Sequence, residues 1–222
     1  MAQAQLRRMD ESERHYLASA SRSLGLTLYD QQIDQLLGYV DLLEKWNRAY
    51  NLTAVRDRRG IIERHIIESL SIQPFIIGRR RIDVGTGAGL PGIPLAVADC
   101  QQHYTLLDSN GKKTRFLKEV KRQLGLSNIT IVNARIETWS PAERFDAVIT
   151  RAFADLAVTA HNTEHVLTET GCLFAMKTDS ASEEALRIPR RFRLSQAHDV
   201  RPAGRDWTFR LLVIERQHTE AI

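Results

Sequence analysis

The residues best suited to chemistry lie in a glycine-rich loop and at one carboxylate that follows it. The loop, Asp83–Gly89, places glycines at every second position, and Asp108 stands 19 residues beyond its last glycine. Asp108 closes the apolar run Tyr104–Asp108, which has the composition of a buried strand. Strand, glycine loop, helix, strand and carboxylate follow one another in this order in the nucleotide-cofactor folds.

The spacing of the glycines discriminates between cofactors. A dinucleotide pyrophosphate favours G-x-G-x-x-G, but Leu90 occupies the position of the third glycine in that pattern. The Asp83 carboxylate suits an ammonium or sulfonium group better than a pyrophosphate. S-adenosylmethionine carries both cations, and its ribose hydroxyls would bind a carboxylate such as Asp108. The loop therefore favours S-adenosylmethionine, with NAD binding or a loop without a ligand as alternatives.

Composition indicates an ordinary soluble globule. The chain has 222 residues, of which 43% are hydrophobic and 26% charged. No apolar run approaches the roughly 18 residues of a membrane helix, and the first residues lack a secretion signal. Cys100 and Cys172 have no motif spacing, which predicts reduced cysteines and a cytoplasmic location. The net charge of +4 and the pI of 9.3 mildly favour a polyanionic partner.

The periodicity divides the chain in two. Residues 1–78 are predicted to form a helical extension, because apolar residues from Ile33 to Trp46 recur at three and four residues. Residues 79–222 alternate strands with helices, which predicts an α/β fold with a doubly wound parallel sheet. The predicted helices are Pro91–Ala98, Lys112–Leu124 and Leu156–Leu167. The predicted strands are Arg81–Gly85, Tyr104–Asp108, Ile129–Asn133, Asp146–Arg151, Gly171–Lys177 and Thr208–Glu215.

Two further strand ends carry side chains that could serve a ligand. Open parallel sheets bind ligands at the carboxyl ends of their strands. After the third strand, Ile136 and Glu137 are placed to flank an adenine with an apolar side chain and a polar edge. Arg151 ends the fourth strand, where its guanidinium could hold a carboxylate or a phosphate.

Five segments together resemble one known family, and they cover roughly residues 40 to 155. They resemble the RsmG (GidB) family of bacterial methyltransferases that act on the N7 of a guanine in 16S ribosomal RNA. The loop Gly89-Leu90-Pro91-Gly92-Ile93-Pro94 and the later Arg151-Ala152 are specific to this family among methyltransferases. The matching segments are Asn47–Thr53, Arg64–Leu70, Asp83–Ala96, Leu107–Leu117 and Arg151–Ala154.

The resemblance implies a class I S-adenosylmethionine methyltransferase (Rossmann-like) fold with an N-terminal helical extension. It implies 16S rRNA or the small ribosomal subunit as the partner, and cofactor contacts from Gly85, Leu90, Ile136, Glu137 and Arg151. Two positions depart from the family pattern. Glu68 stands where the family usually has Asp, and Phe209-Arg210 stands where Arg-His is usual.

The residues and the resemblance together give one predicted site. Four cations are candidates for RNA phosphates: Arg64, Lys112, Lys113 and Arg115. For the last three, an ordinary solvated helix face is the alternative. The predicted cofactor contacts are Asp83, Gly85, Gly87, Gly89, Leu90, Asp108, Ile136, Glu137 and Arg151.

No catalytic residue is assigned, since guanine N7 presents an unprotonated lone pair and needs an aligned approach rather than a base. His65 lies on an apolar helix face and is predicted to be a hydrogen-bonded core residue. His161-Asn162-Thr163-Glu164-His165 matches an inverted zinc-protease motif, but helical spacing turns both histidines to solvent, and we expect no metal.

Two other functions remain open from the sequence. A methyltransferase for a small molecule or a protein would share the cofactor site, although the basic face argues against it. An RNA-binding or assembly factor could retain the fold without catalysis. We expect a monomer.

Overall fold

A computed structural model describes residues 2–178 and 181–217. Seven strands form one sheet in the order β3-β2-β1-β4-β5-β7-β6. Strands β1 to β5 pair in parallel, and β7 is antiparallel to both β5 and β6. The strands are β1 Arg80–Val84, β2 His103–Asp108, β3 Ile129–Asn133, β4 Phe145–Arg151, β5 Leu167–Lys177, β6 Phe192–Val200 and β7 Phe209–Arg216.

Helices flank the sheet and also make up most of the first 75 residues. In the described part of the chain, no helix has the length and apolar character needed to cross a membrane. A π-helical segment spans Ile62–Ile67. Short 3-10 helices occupy Gln73–Phe75 and Glu164–Val166. The α-helices are α1 Ala2–Ser23, α2 Asp30–Tyr50, α3 Arg58–Ile61, α4 Glu68–Leu70, α5 Gly92–Ala98, α6 Gly111–Leu124, α7 Leu156–Thr163 and α8 Ala181–Ala185.

The sheet has one strand more than the sequence predicts. The missing strand is β6, Phe192–Val200, and it rather than β7 forms the antiparallel edge. Most of its side chains between the two ends are exposed or half-buried, so its sequence lacks the regular apolar alternation of a half-buried strand. The stretch from Ala197 to Val200 therefore belongs to a strand.

Strand β5 begins at Leu167 rather than at Gly171, and the preceding helix is shorter than predicted. Helix α7 ends at Thr163 and a 3-10 turn follows, because Leu167 pairs with Phe145 of β4. The register of that ladder then shifts before Cys172 pairs with Ala147. Sheet pairing at Leu167 thus overrides a helical pattern that continued to the same residue.

The N-terminal helices share one hydrophobic core with a face of the sheet. Helix α2 packs on α5 and α6, and its buried Leu36 and Leu43 belong to the same cluster as Ile149 of β4. The hydroxyl of Tyr39 donates to the carbonyl of Ala88 within the glycine loop, at 2.8 Å. The division at residue 78 stays a prediction, but this packing fixes the extension against the loop.

Arg81 is buried in β1, although the sequence places it in the cationic run Arg79–Arg81. Its side chain is 6% exposed and pairs with Asp99 at 2.8 Å. The guanidinium also donates to the hydroxyl of Tyr104 and to the carbonyls of Gly78 and Ile76. A buried cation with this many partners joins β1 and β2 to the segment that enters the sheet.

We predict that Arg81→Met lowers the free energy of unfolding by about 3 kcal/mol, because Asp99 would lose its partner in a poorly solvated position. Urea denaturation measures this change. The neighbouring Arg79 is exposed, so Arg79→Met is the matched control and should change stability by less than about 0.5 kcal/mol. If both substitutions lowered the free energy of unfolding equally, the structural role of Arg81 would be contradicted.

Candidate active site

Two cavities open at the carboxyl edge of the parallel strands. The smaller has a volume of about 330 Å³ and lies over Gly85, Asp108 and the loop after β3. The larger, of about 620 Å³, lies between the N-terminal extension, the end of β4 and the start of β7. Ala152 lines both cavities, so the end of β4 separates them. Volumes of this size are typical of small-molecule sites.

The glycine loop adopts backbone angles that require glycine at two positions for different reasons. Gly85 has a φ of +69°, and a Cβ there would lie 2.3 Å from Cδ2 of Phe153. Gly89 has a φ of +98°, and a Cβ there would lie 2.5 Å from Cγ1 of Ile93. Gly85 thus allows the ring of Phe153 to lie against the loop, whereas Gly89 allows the loop to pack on helix α5.

Asp83 lies beneath the loop and lines neither cavity. Its carboxylate is fully buried, and Oδ2 accepts hydrogen bonds from the hydroxyl of Thr86 at 2.6 Å and the amide of Gly92 at 2.8 Å. Burial raises the pKa of Asp83 to about 7, against the effect of these two hydrogen bonds. In this structure Asp83 therefore holds the loop and the first turn of α5 in place.

Asp108 points into the smaller cavity. Its Oδ2 accepts from the amide of Gly87 at 2.9 Å, and its Oδ1 accepts from the amide of Asn110 at 2.8 Å. Lys113 approaches Oδ2 at 3.7 Å and also lines this cavity. A carboxylate has about four lone-pair directions, so Asp108 can still accept from a ligand hydroxyl.

The loop after β3 forms another wall of the smaller cavity. Ile136 is 2% exposed and packs in the core behind this wall, whereas the neighbouring Glu137 is exposed. Both residues line the cavity. An apolar side chain beside a carboxylate can contact the face and the edge of a nucleobase.

Arg151 faces the larger cavity. Its Nη2 lies 2.9 Å from Oε1 of Glu68 and also donates to the carbonyl of Arg64. Burial raises the pKa of Glu68, while Arg151 and a hydrogen bond from the indole of Trp207 act in the opposite direction. This ion pair joins the extension, β4 and the segment before β7 at one point.

His65 is buried beside this ion pair and is neutral at pH 7. Its Nδ1 donates to the carbonyl of Arg64, so Nε2 is the acceptor for the hydroxyl of Thr53, at 2.6 Å. Burial and the nearby guanidinium of Arg151 lower the pKa of His65 to about 4. With both ring nitrogens engaged, His65 fits the hydrogen-bonded core residue predicted from the sequence.

The structure thus distributes the predicted site residues over several places. Gly85, Asp108, Ile136 and Glu137 line the smaller cavity. Leu90 packs against the core and Gly89 lies against helix α5, and neither lines a described cavity. Arg64 and Arg151 line the larger cavity, and Lys112 and Arg115 are exposed on α6.

Three further residues contribute to these walls, and the predicted site omits two of them, Phe153 and Trp207. Phe153 lies over Gly85, Lys113 approaches Asp108, and Trp207 contributes to the larger cavity. Lys113 was predicted to bind RNA rather than to line a small-molecule cavity. For Trp207 the only signal in the sequence was a large aromatic residue within a polar stretch.

The His161–His165 motif is engaged in surface contacts. His161 Nδ1 lies 2.8 Å from a guanidinium nitrogen of Arg191, and His165 Nε2 lies 3.0 Å from the carbonyl of Trp139. Glu164 pairs with Arg191. Across residues 2–178 and 181–217, no three His, Cys, Asp or Glu side chains are grouped to share a metal ion.

Comparison with known proteins gives the family. The family model described as rRNA small subunit methyltransferase G matches residues 32–204. The chain belongs to this family. A relative named ribosomal RNA small subunit methyltransferase G from Saccharophagus degradans is 47% identical over 182 residues, covering 82% of each chain. One of the same name from Ectopseudomonas mendocina is 43% identical, covering 94% of this chain and 99% of its own.

Solved structures of other proteins superpose on this chain and show its fold. A SAM-dependent methyltransferase from Aquifex aeolicus superposes with a TM-score of 0.54, covering 70% of this chain and 92% of its own, at 13% identity. The Escherichia coli protein titled putative methyltransferase yhhF gives a TM-score of 0.52, covering 75% and 91%, at 17% identity. The predicted class I methyltransferase fold is confirmed.

His65 generates a prediction about stability and pH. Since its pKa is lower in the folded than in the unfolded protein, the unfolded state alone takes up a proton as the pH falls from 6.5 to 5. Wild type should therefore lose about 2 kcal/mol more unfolding free energy than His65→Asn between pH 7 and pH 5. The buried carboxyl of Asp83 changes the unfolding free energy in the opposite direction over this pH range. Both proteins contain Asp83, so its contribution cancels in the comparison. If the urea midpoints of the two proteins changed in parallel across this pH range, the lowered pKa assigned to His65 would be contradicted.

Proposed function

We propose that this protein transfers the methyl group of S-adenosylmethionine to the N7 of a guanine in 16S ribosomal RNA. The observation that carries the proposal is a cavity over the glycine loop that meets a larger one at Ala152. A donor bound in the first would face an acceptor bound in the second. Membership of the rRNA small subunit methyltransferase G family supplies the class of acceptor. A ribosomal substrate supports a cytoplasmic location, and we propose a monomer as the oligomeric state.

The residues around the smaller cavity fit the cofactor. Asp108 would accept from the ribose hydroxyls, and Ile136 and Glu137 would contact the adenine. Gly85 and the ring of Phe153 that lies against it would form the side of the cofactor site next to the loop. Arg151 ends β4. Its guanidinium would bind the cofactor carboxylate after giving up its ion pair with Glu68. When bound, the cofactor supplies an electrophilic methyl group on a sulfonium.

The larger cavity suits an acceptor that needs no deprotonation. His65 has a pKa of about 4 and both of its ring nitrogens are hydrogen-bonded, so it is a poor base at neutral pH. Guanine N7 offers a lone pair in the ring plane without a proton to remove. We infer that the protein accelerates transfer chiefly by alignment and by excluding water.

An exposed cationic surface borders the cofactor cavity and could bind RNA phosphates. Lys112, Arg115 and Lys118 project from the outer side of α6. Among the described residues, no ion pair involves these three, whereas Lys113 and Arg122 have acidic partners. With Arg64 at the mouth of the larger cavity, they supply the cations that a polyanion requires.

A direct test uses small-subunit rRNA from cells that lack this chain. Incubation with S-adenosylmethionine and the purified protein should add one methyl group, which mass mapping should place at N7 of a guanine. Methyl transfer only to a small molecule or a protein would overturn the proposed substrate. Binding of rRNA without any transfer would leave a non-catalytic assembly factor instead.

Asp108→Ala should weaken cofactor binding by about 1.5 to 3 kcal/mol, the range for losing a hydrogen bond to a charged partner. Calorimetric titration with S-adenosylmethionine measures this change. The amide of Gly87 loses its acceptor in this variant, so circular dichroism must first show that it is folded. Glu143→Gln, an exposed carboxylate away from both cavities, is the matched control. Unchanged affinity in folded Asp108→Ala would remove this residue from the site.

Charge reversal of Lys112, Arg115 and Lys118 to Glu should weaken rRNA binding and lower its salt dependence by about one unit of slope per lost phosphate contact. Lys113 is left unchanged because it lines the cofactor cavity. Cofactor affinity should stay within twofold of wild type. The matched control reverses three exposed arginines at the amino edge of the sheet, Arg79, Arg144 and Arg190. Equal losses in both triple variants would indicate an effect of net charge alone.

A further inference from the structure

Within the described chain, Glu68 and Glu184 are the two carboxylates that line the larger cavity. Glu184 is held by Lys177 at 2.7 Å and accepts from the amide of Leu156. Glu68 is half-buried and has two partners, the guanidinium of Arg151 and the indole of Trp207. Because a carboxylate has about four lone-pair directions, Glu68 retains acceptor capacity toward the cavity.

The backbone that carries Glu68 has an unusual form. The π-helical segment Ile62–Ile67 immediately precedes it, and such segments are rare and frequent at functional sites. Arg64 lies within the segment, and both side chains line the cavity. A cation at the exposed mouth and a carboxylate deeper in the wall match a nucleotide, which has a phosphate at one end and hydrogen-bond donors at the other.

Guanine presents donors of the right kind. Its Watson–Crick edge carries N1–H and a 2-amino group side by side, and a carboxylate can accept from both. When N7 bonds to the methyl carbon, the S–CH₃ bond breaks, its electron pair stays on sulfur, and the positive charge passes to the purine. Hydrogen bonds from N1–H and the 2-amino group to an anion strengthen as that charge develops.

We propose that Glu68 recognises the target guanine by accepting hydrogen bonds from its N1–H and 2-amino group. The inference rests on the proposed function and adds a specificity-determining residue to it. Adenine would present an unprotonated N1 to this carboxylate and would be rejected, although it too has an N7. Glu68 also lies where its negative charge favours the cationic product over the neutral substrate.

The test compares guanosine with inosine at the target position of a synthetic small-subunit rRNA fragment. Inosine keeps N7 and N1–H but lacks the 2-amino group. Wild type should methylate the guanosine RNA about 10- to 100-fold faster in single turnover, the factor expected for one hydrogen bond to a charged acceptor. In Glu68→Ala this ratio should fall to nearly one, and in Glu68→Gln to an intermediate value. Glu143→Gln should retain the wild-type ratio.

The ratio of the two methylation rates separates recognition of the base from a structural role of Glu68. A loss of folding or of Arg151 positioning slows methylation of both RNAs alike, so it leaves the ratio unchanged. If Glu68→Ala is too unstable to assay, the isosteric Glu68→Gln decides the question. A wild-type ratio near one, or an unchanged ratio in folded Glu68 variants, would overturn the proposal. A fall in S-adenosylmethionine affinity with an unchanged ratio would show that Glu68 acts only through Arg151. Absence of N7 methylation by wild type would instead refute the proposed function itself.

Discussion

The buried carboxylate of Asp83 is the constraint on which the rest of the site depends. It lies one residue before the end of β1, beneath the glycine loop, and its hydrogen bonds from Thr86 and Gly92 fix both the turn and the start of α5. Burying a charged carboxylate without a cationic partner is unfavourable, and for this reason the pKa of Asp83 rises to about 7. The fixed turn then aims the amide of Gly87 at Asp108 on the neighbouring strand, so one buried acid orients the acid that faces the cavity.

The ion pair of Glu68 and Arg151 has the corresponding role for the second cavity. Without the N-terminal extension, the end of β4 would lie open to solvent on this side, because His65, Glu68 and Val55 form the opposite wall. Tyr39 connects the same extension to the glycine loop through the carbonyl of Ala88. The extension is therefore part of the site, although its helices contribute nothing to the order of the parallel strands.

The sequence predicts the half of the site that depends on local chemistry. Gly85, Asp108, Ile136 and Glu137 follow strands that are strongly apolar, so their place at the carboxyl edge follows from the alternation of strands and helices. The edge strand Phe192–Val200 could not be predicted this way, because edge strands are half solvated and carry weak patterns. Trp207 lies in the irregular segment before β7, where no periodic pattern indicates which side chains face a cavity. Arg81 shows a different limit: its burial depends on Asp99 and Tyr104, which are distant in sequence, while its neighbours suggest a solvated charge cluster.

The junction between the cavities depends on a backbone feature that a motif alone does not reveal. Ala152 has a φ of +48°, a left-handed conformation that costs an L-residue about 1 kcal/mol or more. It turns the chain so that Arg151 points toward the extension while Phe153 lies on Gly85. The contacts of the following residues hold this turn: Lys177 donates to the carbonyl of Ala154, and Asp155 caps α7 through the amide of Ala157. Adjacent residues of one strand end thereby line two cavities, which meet at Ala152.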